Sequence, residues 1–162
     1  MRGDAARAVA IGRGPGGEPL WPDGVVGAIS HSGDIAVAVV GWSDDYAGIG
    51  VDVEQRSPGM SLRAARLVCR PSEYEWAAED PGPMRRTLLF SAKEAIFKAL
   101  YPIEGVWLGF GDAELRWDAA RCAFDAQVLK AVGDGFPVGT RLEVQYGVTA
   151  SAVVSTTFVR QR

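Results

Sequence analysis

Residues 90–101 read FSAKEAIFKALY, and this stretch predicts a helix with two different faces. At about 3.6 residues per turn, an apolar stripe forms from a set of small and aliphatic side chains, Leu89, Ala92, Ile96 and Ala99. A second stripe combines aromatic rings with charge, at Phe90, Glu94, Phe97, Lys98 and Tyr101. Glu94 and Lys98 lie one turn apart, which an ordinary solvated ion pair would explain. The alternative, a first stripe that packs in a core and a second that lines a pocket, depends on the rest of the chain.

The sequence around this helix predicts one α+β domain spanning residues 1–162. The expected elements are strands at 25–31, 35–42 and 49–55, helices at 61–69, 71–79 and 85–101, and short β segments within 105–117, 122–131, 140–148 and 150–159. Residues 12–24 are rich in Gly and Pro and predict an irregular loop, and Pro102 is expected to end the long helix. The predicted fold is therefore a mostly antiparallel sheet with the long helix packed against it.

The composition excludes several classes of protein. The 162 residues are 48% hydrophobic, which is enough for a globular core, and the net charge of -3 argues against nucleic acid or an anionic membrane as a partner. The longest apolar run, residues 35–42, is too short to span a bilayer. Cys69 and Cys122 lack metal-binding spacing, and residues 1–10 show no signal-peptide pattern. We therefore expect a cytoplasmic protein.

The stretch GVDVE at residues 50–54 places two carboxylates on one side of a predicted strand. Side chains alternate along a strand, so Asp52 and Glu54 share one face while Val51 and Val53 share the other. Two carboxylates on one face repel each other unless a cation lies between them, and oxygen ligands of this kind suit Mg²⁺. Glu94 would add a third carboxylate if the long helix crosses this strand. An exposed polar strand face explains the pair equally well.

The stretch GAISHSGD at residues 27–34 contains His31, which is the single histidine of the chain. Ser30, His31 and Ser32 place three hydrogen-bonding side chains next to a turn, where they could hold a phosphate. A lone histidine is more often a surface or structural residue than a functional one. The chain lacks a GxSxG sequence, so a serine hydrolase is excluded.

The motifs GAISHS (27–32), GVDVE (50–54) and FSAKEAIFKA (90–99) occur in an order that resembles the 4′-phosphopantetheinyl transferases of the surfactin and enterobactin type. The resemblance extends over GGEPLWPDGVVGAISHS and YPIEGVWLGFGDAEL, and so over most of the chain from about Ile11 onward. It implies transfer of 4′-phosphopantetheine from coenzyme A to a serine of an apo acyl or peptidyl carrier protein, with Mg²⁺ as cofactor and 3′,5′-ADP as the second product.

The resemblance also implies roles for individual residues. The implied Mg²⁺ ligands are Asp52, Glu54 and Glu94. Glu94 is also the implied general base, with Lys98 neutralising the pyrophosphate and Lys93 contacting phosphate or positioning the carrier serine. The implied contacts with coenzyme A are Ser30 and His31 at the 3′-phosphate, Gly17, Glu18 and Pro19 at the adenine, and Phe90 in the cleft for the pantetheine arm and the carrier.

Two features depart from the family pattern. By this resemblance we expect the chain to lack most of the first of the two halves that form the surfactin-type fold, and Glu18 stands where a basic residue is common, with Arg13 as a candidate to compensate. Three explanations remain open: a domain of a larger polyketide megasynthase, which we favour, a short form that completes its site by homo-oligomerising, and a degenerate copy. The last would be a non-catalytic docking or oligomerisation module of a synthase. A Mg²⁺ phosphohydrolase would use the same carboxylates.

Overall fold

The computed structural model describes residues 10–161 and confirms the α+β class. The strands are β1 (Gly12–Arg13), β2 (Pro19–Leu20), β3 (Val25–Ser32), β4 (Ile35–Trp42), β5 (Tyr46–Gln55), β6 (Ala113–Asp118), β7 (Ala123–Val128), β8 (Arg141–Val148) and β9 (Ala152–Arg160). The helices are α1 (Leu62–Val68), α2 (Pro71–Ala78) and α3 (Met84–Glu104). None of the described helices is long and apolar enough to cross a membrane. The expectation of no signal peptide concerns residues 1–9, which lie outside the described residues.

The largest sheet is antiparallel and has the strand order β5-β9-β8-β7-β6. The strands β6 to β9 follow one another as hairpins, and β5 joins β9 along one edge, with Asp52 opposite Ser155. The strands β3 and β4 form a separate hairpin, in which His31 pairs with Ala36. The strand β5 is therefore an edge strand of the large sheet, and the carboxylate pair of the GVDVE stretch lies on it.

Helix α3 packs across β5 and β9 with the apolar stripe that its sequence predicts. That stripe is fully buried, at 1% exposure or less for Leu89, Ala92, Ile96 and Ala99. It joins Phe124 and Val144 of the sheet in one core cluster. Burying each large side chain of this kind contributes about 1.5–3 kcal/mol, which fixes the rotation of the helix about its axis. The second stripe, with Glu94 and Lys98, is thereby directed away from the core.

Two glycines of β5 let α3 approach the sheet closely. A Cβ atom added at Gly50 would lie 1.8 Å from the carbonyl oxygen of Ala95, and one added at Gly48 would lie 2.3 Å from that of Ala99. Both distances are far below any real carbon–oxygen contact, so the helix can lie here only against glycine. Gly48, Gly50 and Asp52 share one face of β5, so the close approach brings α3 over the carboxylates.

Three element boundaries differ from the prediction. Pro102 does not end α3, which continues to Glu104 and closes at Gly105 in the left-handed conformation, where the Gly105 N–H donates to the Tyr101 oxygen at 2.8 Å. The prediction was wrong because a proline in the last turn removes only the hydrogen bond of its own nitrogen. The N–H groups that follow it still donate to carbonyl oxygens one turn earlier. The strand β5 begins at Tyr46, and the loop at 12–24 contains the short pair β1–β2.

Candidate active site

Asp52 lies at the centre of a buried polar network between β3, β5 and α3. Its side chain is 4% exposed, and its Oδ1 accepts hydrogen bonds from Ser30 Oγ at 2.8 Å and from Lys98 Nζ at 2.7 Å. Lys98 Nζ also donates to Ser30 Oγ at 2.9 Å. The three groups are mutually bonded, so the charge of the buried carboxylate is balanced by a cation that is itself only 26% exposed.

Strand β3 reaches this network through alternate serines. Ser30 Oγ accepts from the Val53 N–H at 3.3 Å, and Ser32 Oγ accepts from the Gln55 N–H at 3.4 Å while donating to Glu54 Oε2 at 3.1 Å. These N–H groups belong to the edge of β5 that does not pair with β9. Two hydroxyl groups thus occupy positions along β5 where the carbonyl oxygens of a neighbouring strand would otherwise lie.

The other two carboxylates hold protons more tightly than usual. Burial raises the pKa of Glu94, and the nearby charges of Asp52 and Glu54 raise it further, whereas Lys98 opposes the change. Burial likewise raises the pKa of Glu54, with Asp52 adding to the effect and Ser32 opposing it. Three acidic groups that interact in this way form a site poised to accept positive charge.

Asp52, Glu54 and Glu94 offer carboxylate oxygens, which suit a hard divalent cation, although the three carboxylates do not converge on one point in this structure. Within residues 10–161, no group of three acidic, histidine or cysteine side chains already forms a metal-binding arrangement. Asp52 Oδ2, however, is buried and has no hydrogen-bond partner among the described residues. A buried carboxylate oxygen without a partner is costly, and a cation shared with Glu54 and Glu94 would satisfy it. Lys98 holds the other oxygen of Asp52 and supplies the compensating charge.

Two adjoining cavities open beside Lys98. One has a volume of about 390 Å³ and is lined by three basic side chains, Arg13, His31 and Lys98, together with the backbone around Gly17 and Pro19. The other, of about 400 Å³, is lined by Glu18 and by four aromatic side chains, Trp21, Phe97, Tyr101 and Trp107. The structure therefore brings Gly17, Glu18, Pro19, Ser30, His31 and Lys98 to one region. The indole rings of Trp21 and Trp107 were not predicted, because no local pattern links them to this region.

The carboxylate of Glu18 folds back into its own loop. Cβ atoms added at Gly14 and Gly16 would approach the Glu18 carboxylate oxygens to 2.1 and 2.8 Å, so both positions require glycine while this carboxylate stays in place. Glu18 Oε2 is buried without a hydrogen-bond partner among the described residues. The acidic departure from the family pattern is thus part of the cavity wall, and Arg13 lines the neighbouring basic cavity.

Phe90 lies in a separate groove on the other side of Glu54. Its ring packs against that of Phe110, with centroids 5.6 Å apart, and the groove has a volume of about 550 Å³ and is also lined by Ser32, Glu54 and Leu67. Glu54 therefore lines the groove that carries Phe90, whereas Ser30, His31 and Lys98 line the basic cavity.

The structure does not bring the Lys93 ammonium group to the carboxylates of Asp52, Glu54 and Glu94. Its side chain is 2% exposed, and its Nζ donates to Glu73 Oε2 at 2.6 Å, to the Phe110 oxygen at 2.8 Å and to the Val68 oxygen at 2.9 Å. All three ammonium hydrogens are used, so none is left for a phosphate. Burial lowers the pKa of Lys93, and the Glu73 carboxylate opposes that shift. The partner Glu73 lies twenty positions away in sequence, where no local motif pointed to it.

Comparisons with known proteins identify the family of this chain. Residues 48–122 match the 4′-phosphopantetheinyl transferase superfamily, and residues 3–41 match the 4′-phosphopantetheinyl transferase N-terminal domain. The chain is 42% identical over 117 residues to the 4′-phosphopantetheinyl transferase Svp of Streptomyces mobaraensis, a match that covers 70% of this chain and 47% of that protein. It is 38% identical over 113 residues to Npt of Nocardia iowensis, with coverage of 68% and 50%.

A longer match is to the 4′-phosphopantetheinyl transferase PptT of Mycobacterium tuberculosis, 34% identical over 162 aligned residues, 88% of this chain and 67% of that protein. The chain spans about half the length of the first two relatives. The matched segments contain the serine–histidine strand, the carboxylate strand and helix α3. With these motifs joined in one network, the chain belongs to the 4′-phosphopantetheinyl transferase superfamily.

Proposed function

We propose that this protein transfers 4′-phosphopantetheine from coenzyme A to a serine hydroxyl of an apo acyl or peptidyl carrier protein in a Mg²⁺-dependent reaction. The observation that carries the proposal is the buried Ser30–Asp52–Lys98 network, which has Glu54 and Glu94 close by and opens on a basic cavity. The named activities of the relatives support the same reaction class. Both cysteines are free thiols, in keeping with a cytoplasmic setting.

The donor substrate is proposed to bind in the two cavities beside Lys98. Arg13 would supply positive charge for the 3′-phosphate and the exposed His31 a hydrogen-bond donor, and the backbone of residues 17–19 would face the adenine. Ser30 would take part in phosphate binding only by giving up its bond to Asp52, since its hydroxyl is buried in the network. The aromatic cavity offers faces on which a planar base can stack.

Asp52, Glu54 and Glu94 would hold Mg²⁺, which when bound supplies positive charge opposite the pyrophosphate. Lys98 would move from Asp52 to the pyrophosphate oxygens and stabilise the departing 3′,5′-ADP. Glu94 would accept the proton of the carrier serine hydroxyl, because its side chain lines the cavity beside residues 107–110. The serine oxygen then bonds to the phosphorus that carries the pantetheine, while the bond from that phosphorus to the bridging oxygen breaks.

Phe90 and the apolar groove beside Glu54 would receive the pantetheine arm and the carrier serine from the opposite side. Under this proposal Lys93 does not contact phosphate, because its three donors are already used within the fold.

The test is intact-protein mass spectrometry of several apo-carriers incubated with this protein, coenzyme A and Mg²⁺, with EDTA as the metal control. A metal-dependent gain of one phosphopantetheine mass is expected. Asp52→Asn should reduce the rate by about a hundredfold or more, since it weakens the cation site, whereas Glu75→Gln on the exposed face of α2 should not. If the protein is folded and modifies no carrier, the proposal fails. The alternative is then a non-catalytic docking or oligomerisation module, and measuring the mass of the protein in solution would show whether it oligomerises.

A further inference from the structure

A second ion pair, between Lys93 and Glu73, lies fully inside the protein and outside the proposed reaction site. The two side chains are 2% and 0% exposed, and Nζ lies 2.6 Å from Oε2. Lys93 directly precedes Glu94 in α3, but it points between α1, α2 and the entry to β6. A buried pair of this kind is weak evidence for stability, because apolar side chains of similar size often serve as well. Its hydrogen bonds indicate a different use.

The pair holds four backbone segments through directional bonds. Lys93 donates to the Val68 oxygen at the end of α1 and to the Phe110 oxygen before β6. Glu73 accepts from the Arg70 N–H at 2.6 Å, which caps the start of α2, and from the Leu115 N–H at 2.7 Å in β6. Every hydrogen of the ammonium and both oxygens of the carboxylate are therefore used. A buried polar group whose hydrogen bonds are all formed is held rigidly in place.

One of these segments forms the wall beside Glu94. Residues 107–110 and Glu94 line a cavity of about 150 Å³, which Phe97 also borders. The Phe110 oxygen, at the end of this wall, is the acceptor of Lys93 at 2.8 Å. Helix α3 therefore presents Glu94 to the cavity, while the preceding side chain, Lys93, anchors the backbone that closes it.

We propose that Lys93 and Glu73 are positioning residues, which hold the 107–110 segment against Glu94 and so fix the space in which the carrier serine meets that carboxylate. This inference rests on the proposed transfer reaction. It assigns Lys93 an action through Glu94 and the wall beside it, with no contact to phosphate.

The test compares the wild type with Lys93→Met/Glu73→Gln, which neutralises the pair without leaving a buried charge alone. With a carrier that the wild type modifies, kcat should fall by about tenfold to a hundredfold, because a displacement near 1 Å at a reacting group has effects of this size. Coenzyme A affinity, measured by titration calorimetry, should fall much less than kcat, because Trp107 of the released segment borders the aromatic cavity while Arg13, His31 and Lys98 of the basic cavity are unchanged. Amide hydrogen exchange should rise selectively over residues 105–112.

Arg121→Met is the matched control. Arg121 also has three partners, at Asp118, Asp125 and Glu143, but it is 45% exposed and lies at the far end of β6. The control should leave kcat unchanged. A folded Lys93→Met/Glu73→Gln protein with wild-type kcat would overturn the inference while leaving the transfer reaction established. A wild type that modifies no carrier would instead overturn the proposed function.

Native-state hydrogen exchange of the wild type gives a readout that needs no variant. If the pair ties its segments together, the amides of Arg70 and Leu115, both bound by Glu73, should open with the same free energy as the amide of Gly109, which donates to Asp112 Oδ2 at 2.8 Å, as denaturant is added. Opening of the Gly109 amide at much lower free energy than these amides would overturn the inference, even if the double variant fails to fold.

Discussion

Replacing Gly50 by alanine should separate α3 from the carboxylate strand. The added Cβ would lie 1.8 Å from the Ala95 oxygen, 2.8 Å from its carbonyl carbon and 3.0 Å from the Ala99 nitrogen, all of them backbone atoms. Ordinary contacts begin at 3.4 Å, so the helix must retreat by about 1.6 Å along the closest direction. No side-chain rotation can relieve this clash, because the added Cβ is fixed by the backbone of β5 and the atoms it meets are main-chain atoms of α3.

That displacement exceeds the tolerance of the Lys98–Asp52 bond, which is 2.7 Å long. The expected cost in the free energy of unfolding is about 1–3 kcal/mol, as for other overpacked cores, which corresponds to a melting temperature lower by roughly 2–12 °C for a domain of this size. A shift above 1 Å between Glu94 and its partners should reduce carrier modification by about a hundredfold. The loss of activity should therefore be far greater than the loss of folded protein at 25 °C.

The assay is the rate of carrier mass gain at saturating coenzyme A, together with thermal unfolding of the same samples. Gly147→Ala is the control, because Gly147 lies in β8 with no atom within 4 Å of an added Cβ, and it should change neither quantity. If Gly50→Ala unfolds within 1 °C of the wild type and modifies the carrier at the same rate, the close approach of α3 to β5 does not position this site.

Three further predictions follow from burial and charge. Because the folded-state pKa of Glu94 is raised above its ordinary 4.5, stability linked to its protonated form is present below that pH and lost as pH rises through the folded pKa. Glu94→Gln should thus raise the melting temperature in EDTA at pH 8 and lose this advantage near pH 4; equal curves at pH 8 would contradict the burial argument. Burial, and then the charge of Glu73, raises the pKa of the Cys69 thiol to about 11. At pH 8, iodoacetamide should therefore alkylate Cys69 on the order of a hundredfold more slowly than the exposed Cys122, which peptide mass spectrometry would measure. Similar alkylation rates for the two thiols would refute this. Phe124→Ala should cost about 3–5 kcal/mol in chemical denaturation, since the ring is fully buried, and a cost below 1 kcal/mol would show that the core collapses around the gap.

The sequence was sufficient for features that depend on periodicity. The stripe of Leu89, Ala92, Ile96 and Ala99 is buried as its helical spacing predicts, and Ser61 caps α1 with its hydroxyl accepting from the Ala64 N–H at 3.2 Å. The strands and helices lie close to their predicted bounds. The sheet order was not predicted, because pairing of β5 with β9 joins residues about a hundred positions apart, and no local pattern specifies such a pairing.

Within the candidate site, the structure brings residues of the three motifs together, apart from Lys93, through hydrogen bonds that the motifs do not specify. Ser30, which the resemblance places at a phosphate, lines the basic cavity and also bonds to Asp52, because the β3 register directs alternate side chains toward β5. Lys93 and Glu94 are neighbours in sequence, yet helical rotation of about 100° sends one side chain into the interior. Their metal, substrate and proton roles remain proposals that the experiments above address.

The serine hydroxyls of β3 have a further consequence for the behaviour of the protein at high concentration. An open strand edge with free N–H groups recruits the edge of another molecule and leads to aggregation. Ser30 and Ser32 occupy the Val53 and Gln55 N–H groups on the edge of β5 with side chains, which a second molecule cannot extend as a continuous ladder. The same hydroxyls that surround the carboxylates therefore protect the sheet from intermolecular pairing, so replacing Ser30 and Ser32 would expose an edge of β5 as well as alter the carboxylate site.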